Sequence, residues 1–234
     1  MRKRRVLLKL SGEALGGQTG QGLDAQVLDD MAQAIKATAD VGIALAIVLG
    51  GGNFWRGRSS GEMDRVIADN IGMLATTMNA LAVSDALSRA GVDNVILSAL
   101  SIPKIHEIFR KDRALAAWQE GKVVILAGGT GNPFFSTDST AALRGAELEV
   151  DMILKATLVD GVYDKDPHKY PDAQLYKELS FSQVLDQNLK VIDATAAALC
   201  RDNQLPLRVF NMTRPGNILK AARGEEVGTL VRGS

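Results

Sequence analysis

The densest chemistry in this chain lies in Gly128-Gly129-Thr130-Gly131-Asn132-Pro133-Phe134-Phe135-Ser136-Thr137-Asp138. The apolar run Val123-Val124-Ile125-Leu126 precedes it, and Ser139-Thr140-Ala141-Ala142-Leu143-Arg144, of helical composition, follows. A strand that ends in glycines and hydroxyls just before a helix aims free backbone N–H groups and a positive helix end at whatever sits above, an arrangement that suits phosphate. Ser136, Thr137 and Asp138 are each good helix N-caps. Capping accounts for one of them, but not for the glycines, the Asn-Pro and the paired phenylalanines.

Two further glycine loops follow apolar runs: Lys9-Leu10-Ser11-Gly12-Glu13 and Gly50-Gly51-Gly52-Asn53-Phe54. Parallel strands place such loops at one sheet edge, where open α/β folds bind ligands. One glycine loop is only a turn signal; three suggest a polyphosphate, or two phosphorylated ligands that meet. Residues 12–19 nearly match a P-loop, but Gln18 stands where the phosphate-binding lysine must be, so that reading is rejected. Lys9 is the candidate cation instead. Arg56 can fork onto phosphate oxygens as it leaves the second loop. Asp69 sits among Ile67, Ile71, Met73 and Leu74, where a carboxylate needs a partner; ribose hydroxyls or Arg65 would serve. Residues 155–167 combine a hydroxyl, an aromatic ring and several carboxylates, a mixture suited to an adenine pocket. His106 and His168 lack metal-ligand spacing, and neither is assigned a role.

Short apolar runs alternate with helical periods, which implies an α/β fold with a mostly parallel sheet covered on both faces. Strands are expected at 5–10, 43–49, 95–100, 123–126, 151–156, 205–210 and 228–231. Helices are expected at 23–41 (capped by Asp24), 63–90, 112–120, 139–147, 181–185, 192–201 and 215–223, the last with Pro215 in its first turn. In the 63–90 helix the apolar period runs through Ile67, Ile71, Leu74, Met78 and Leu81. The 234 residues carry no net charge, which argues against a nucleic-acid binder with a basic surface. Arg2-Lys3-Arg4-Arg5 is expected to be a solvated flank of the first strand. Cys200, the single cysteine, reads as a buried apolar residue and suits a reducing cytoplasm. No run approaches the ~20 apolar residues of a membrane span, and the start of the chain lacks a signal peptide's apolar core.

The three loops, with residues 68–76, 155–167 and 207–212, together resemble the amino acid kinase superfamily and, within it, the bacterial uridylate (UMP) kinases. The resemblance covers essentially the whole chain as one domain, 1–234, a three-layer αβα sandwich. Its amino-terminal part would hold UMP, and residues from roughly 150 to 234 the ATP nucleoside. Residues 129–138 are the specific motif, since acetylglutamate and aspartate kinases share the fold but not that loop. The resemblance implies phosphoryl transfer from Mg·ATP to UMP in pyrimidine nucleotide synthesis. Lys9, Leu10, Ser11, Gly12, Gly52 and Arg56 would hold ATP phosphates; Thr157, Tyr163 and Asp166 would line its nucleoside pocket. Gly51, Asp69, Thr130, Gly131, Asn132, Pro133, Phe134, Phe135, Ser136 and Thr137 would bind UMP, with Asp69 on the ribose. Lys9, Arg56, Asp138 and Asp193 would be catalytic, with Mg²⁺ carried by ATP rather than by a protein cage. Gly17, Gln18, Thr19, Gly20, Gln21 and Gly22 match a segment linked to GTP activation. UTP inhibition and a homohexamer are further family traits. The chain departs from the family pattern at Asn70-Ile71 and at residues 105–110. A carboxylate or carbamate kinase, or a nucleotide sensor or store on the same fold, remains open at this point.

Overall fold

The computed structural model describes residues 2–55, 62–167, 169–189 and 191–233. Among the described residues nine strands form one sheet: β1 (Arg5–Leu10), β2 (Ala44–Leu49), β3 (Asn94–Ser98), β4 (Glu107–Ile108), β5 (Val123–Ala127), β6 (Met152–Thr157), β7 (Glu178–Leu179), β8 (Leu207–Asn211) and β9 (Thr229–Val231). Their order is β4-β3-β5-β2-β1-β6-β8-β9-β7, and every neighbouring pair is parallel except β8 with β9. The central strands β1, β2 and β5 are buried almost throughout, as the continuous apolar runs required.

Alternate strand residues feed two cores. Leu7, Val48, Val124 and Ile153 face a layer built from α4 (Lys111–Gln119), α5 (Thr137–Glu147), α6 (Phe181–Asp186) and α7 (Ala194–Asp202). Val6, Leu8, Ile47 and Ile125 face α1 (Gly12–Leu15), α2 (Ala25–Asp40), α3 (Arg65–Arg89) and α8 (Asn217–Arg223). This is the expected three-layer αβα sandwich. Asp24 caps α2 as read, accepting from the Val27 N–H at 3.1 Å, and Cys200 is buried.

Four expectations are corrected. Pro215 precedes α8, whose N-cap is Gly216 in a left-handed turn, so the proline lies ahead of the first turn. Arg2 reaches Asp151 at 2.6 Å and Arg5 stacks its guanidinium 5.6 Å from the Trp118 ring, so the basic flank is partly anchored rather than wholly solvated. Helix α3 is long and apolar enough to cross a membrane by length and composition, contrary to the reading of its run; here it packs on α2, β3 and β5. Its orientation also differs from the one expected. Ala68, Ala75, Thr76, Ala80 and Val83 face inward, while Ile67, Leu74, Met78 and Leu81 are exposed. Small side chains let the helix lie close to its neighbours, and the large apolar ones are left on the outer surface.

Candidate active site

The strands β5, β2, β1 and β6 are adjacent and parallel, so the segments that follow them emerge side by side at one edge. Two of these loops interlock through glycine. A Cβ on Gly12 would stand 2.7 Å from the Gly50 carbonyl oxygen and 2.8 Å from the Gly52 nitrogen, and one on Gly50 would stand 2.8 Å from the Gly12 nitrogen. No side chain fits at this crossing, which explains these residue types without invoking turn conformation.

The register of β1 on β6 sets Lys9 opposite Lys155. Asp138, in the first turn of α5, stands between their ammonium groups, with Lys9 Nζ 3.0 Å from Oδ1 and Lys155 Nζ 2.6 Å from Oδ2. Lys155 also donates to the Val191 carbonyl. These side chains are only 11%, 16% and 16% exposed for Lys9, Asp138 and Lys155. Burial pushes the Asp138 carboxyl up, but the two ammonium groups outweigh it and hold the group below the usual carboxylate range. Burial also pulls the Lys155 ammonium below its ordinary value, against the opposing pull of Asp138. The Lys9 and Lys155 ammonium groups meet at Asp138 in a poorly hydrated place, with the Asp193 carboxylate near enough to favour the charged form of Lys155. Ammonium groups fixed in position in this way are what a transferring phosphoryl group requires.

Asp193 supports this cluster from beneath. It caps α7 through the Ala196 N–H at 3.0 Å, and accepts the Ser139 hydroxyl at 3.0 Å and the Ser136 hydroxyl. The carboxylate thereby ties the start of α7 to the start of α5, the helix that carries Asp138. No ion pair joins it to either lysine among the described residues. Cys200 lies in the same small cavity as Lys9, Asp138 and Lys155. Burial first, then the two nearby carboxylates, pushes its thiol up to about 12.

A second cavity, about 120 Å³, opens between α3 and the 128–138 loop. Gly51, Asp69, Thr130, Asn132, Phe135, Ser136 and Thr137 line it, joined by Trp55, Gly72 and Thr76. Gly131, Pro133 and Phe134 belong to the same loop outside that lining. Phe134 has a positive φ of 72° and is exposed. Its N–H donates to Asp69 Oδ2 at 2.8 Å, the oxygen that also accepts from Arg65 Nε at 2.8 Å. The Arg65 guanidinium lies 5.5 Å from the Phe134 ring. Of the three capping candidates, Ser136 is the cap. Its oxygen accepts from Asp138 and Ser139 N–H at 3.0 and 3.1 Å, so two N–H groups read as free for an anion are already engaged.

Residues 17–21 border a larger cavity of about 640 Å³ with Glu13, residues 52–55 and Leu158. Asn53 links this segment to the second glycine loop. It donates to the Gly22 carbonyl at 2.6 Å, and its amide pairs reciprocally with that of Asn79 at 2.9 and 2.8 Å. Asn79, fully buried on α3, donates to the Gly50 carbonyl at 2.6 Å. Ser11 is the N-cap of α1 without a side-chain capping bond, and Leu10 is buried beneath it.

Thr157, Tyr163 and Asp166 follow β6 along one stretch. Thr157 donates to the carbonyls of Val159 at 2.8 Å and Phe210 at 3.1 Å; Tyr163 bridges to Leu175; Asp166 faces Lys169 at 3.8 Å. Arg56 and His168 lie outside the described residues. His106 is buried and its ring nitrogens find no hydrogen-bond partner among the described residues. Sequence reading missed Lys155, which it treated only as the first residue of a loop segment. The available signal was a lysine inside the apolar strand Met152-Ile153-Leu154-Lys155-Ala156-Thr157. It also passed over Asn79, whose signal was an amide on a helix otherwise rich in alanine and threonine.

The profile of the amino acid kinase family matches residues 4–211. Over 230 residues the chain is 52% identical to a uridylate kinase of Pseudoalteromonas atlantica, covering 97% of this chain and 93% of that protein. The crystal structure of UMP kinase from Ureaplasma parvum superposes with a TM-score of 0.93 at 41% identity, covering 99% of this chain and 100% of the other. That of UMP kinase from Bacillus anthracis gives 0.94 at 38% identity, covering 99% and 97%. On that profile match, that identity and that shared fold, this chain belongs to the amino acid kinase family.

Proposed function

We propose that this chain is a UMP kinase, transferring the γ-phosphoryl group of ATP to UMP to give UDP and ADP for pyrimidine nucleotide synthesis. The observation that carries the reading is a junction. The Lys9–Asp138–Lys155 cluster and the Asp69 cavity share one segment, residues 136–138, so a phosphate in the cavity would be brought up to the two lysines. The identity to uridylate kinases along nearly the full chain supports the choice of acceptor.

In this reading 1–234 is a single domain with the acceptor on its amino-terminal side and the ATP nucleoside on residues from roughly 150 onward. Lys9, Ser11, Gly12, Gly52 and Arg56 hold ATP phosphates, and Thr157, Tyr163 and Asp166 line the nucleoside pocket. Gly51, Asp69 and residues 130–137 hold UMP, with Asp69 on the ribose. The nucleophile is a phosphate oxygen of UMP, whose second ionisation near pH 6 is mostly complete at neutral pH, so no general base is needed. Lys9 and Lys155 stabilise the transferring phosphoryl group, Asp138 holds both ammonium groups in place, and Asp193 positions the helix beneath them. Among the described residues no cluster of His, Cys, Asp and Glu could cage a metal ion. Mg²⁺ carried on the nucleotide phosphates would neutralise part of their charge.

The finer features follow the same reading. GTP activates through residues 17–22, which Asn53 fastens to the phosphate loop, and UTP inhibits as a product-like ligand. The chain assembles as a homohexamer in the cytoplasm. The exposed stripe Ile67, Leu74, Met78 and Leu81 on α3 supports contact with a second copy, since an apolar row of that length is rarely left in water. The test is ADP release from Mg·ATP with UMP, CMP, dUMP, AMP, acetylglutamate or aspartate as acceptor. Turnover on UMP is expected; turnover on an amino acid alone, or binding without turnover, overturns the reading.

A further inference from the structure

Two glycines stand inside long helices among the described residues, Gly72 in α3 and Gly145 in α5. Neither has a positive φ, so neither is there for a left-handed turn. Glycine weakens a helix interior relative to alanine, and each therefore needs a reason. Packing supplies it for Gly145: a Cβ there would stand 2.9 Å from Leu205 Cδ2 and 3.2 Å from Ile153 Cδ1. The same reason fails for Gly72. A Cβ on it would meet, among the described residues, only Trp55 Cδ1, and that at 3.9 Å, an ordinary contact.

The place of Gly72 on α3 shows what the open space faces. Ala68, Asp69, Gly72, Met73 and Thr76 all line the Asp69 cavity. Spacings of three and four make them one face of the helix, and the side-chain direction of residue 72 falls within that face, between those of Ala68 and Asp69. The exposed stripe Ile67, Leu74, Met78 and Leu81 lies on nearly the opposite side, so close approach of a second copy to that stripe gives no cause for a glycine here. The second glycine loop rests on the same turn, where a Cβ on Gly51 would stand 2.7 Å from the Gly72 carbonyl oxygen. Gly51 is bare because the helix leaves it no room. Gly72 has room and is bare toward the cavity.

We infer that Gly72 is a specificity-determining residue of the acceptor site: its missing side chain lets the nucleoside of the bound monophosphate lie directly on the α3 backbone, about one turn along from Asp69. The inference rests on the acceptor reading above and adds to it a residue that acts by the space it leaves. Thr130, Asn132 and Phe135 line the same cavity from the loop side. In a cavity of about 120 Å³ held between a helix and that loop, a methyl group on the helix wall takes space that the nucleoside occupies.

Gly72→Ala separates this role from a structural one by the sign of two effects. Without ligand, the variant is expected to melt about 2–4 °C above the parent, because alanine is the better helix former and its Cβ has room. Its dissociation constant for UMP, measured by calorimetry without ATP, is expected to rise roughly ten- to a hundredfold, with that for Mg·ATP unchanged. A folded Gly72→Ala protein that binds UMP as tightly as the parent overturns the inference. So does one that melts below the parent or fails to fold, since the bare position would then serve the fold. A parent protein that does not bind UMP at all overturns the acceptor reading beneath it, and with it this inference.

Discussion

Asp138 and Asp69 are built from similar parts and are placed under opposite constraints. Each is a carboxylate facing basic side chains. Asp138 is gripped by two lysines that rise from neighbouring strands of the central sheet, and all three groups are nearly buried. Asp69 is met by Arg65, which is 41% exposed, and by the N–H of Phe134, which sits on a loop in a conformation that favours glycine. The first arrangement is fixed before any ligand arrives. The second holds Asp69 through contacts that a ligand can exchange, because an exposed arginine and a loop N–H are cheaply released into water. A catalytic charge is best preorganised, whereas a binding carboxylate must yield its partners to the substrate.

The strongest way to break this contrast is Lys9→Ala. Turnover is expected to fall by about 10²–10³-fold with UMP affinity little changed, measured by ADP release alongside direct UMP binding. Next is Asp138→Asn, which leaves two buried ammonium groups facing a neutral amide. Denaturation at pH 7 is expected to show a loss of about 3–5 kcal/mol. The Asp138 carboxyl sits below its unfolded value of 3.8 in the folded protein. Its contribution is therefore complete above that value and disappears as pH falls through the folded value. The gap between parent and variant must shrink on acidification; a gap independent of pH would mean that Asp138 acts by shape alone.

Asp69→Asn should act on the other side of the comparison. KM for UMP is expected to rise roughly tenfold while KM for ATP and thermal stability stay near those of the parent. Equal changes in both KM values would count against a ribose contact. The smallest effect is expected from Arg65→Ala, under about 1 kcal/mol in stability, since the pair is partly solvated. A loss from Arg65→Ala as large as that from Asp138→Asn would erase the distinction between the two carboxylates.

Much of this site was legible because its loops carry residue types that only close backbone approach demands. Gly12 and Gly50 read as phosphate-loop glycines, and the structure adds that they exclude side chains from each other. The boundaries of β1 and the cap of α2 were equally clear, as continuous burial and an Asp at the right position leave little choice. Periodicity misled on α3, because it follows the largest apolar side chains, and here those face outward while alanines and threonines face the sheet. The two-residue strands β4 and β7 left no pattern to read, since two residues define no alternation. Lys155 escaped because its importance is a matter of register: only the pairing of β1 with β6 brings it opposite Lys9.

That pairing also bears on how the protein comes into being. During synthesis β1 emerges ahead of β2 and can pair with it soon afterwards, but its other edge waits for β6, which follows only after β2, β3, β4 and β5. Until then an apolar strand with an open hydrogen-bonding edge must be kept from pairing with other chains. The lysine pair is assembled only once that edge closes. A nascent or truncated chain ending before β6 would therefore be both aggregation-prone and inert, so the appearance of activity would report completion of the central sheet.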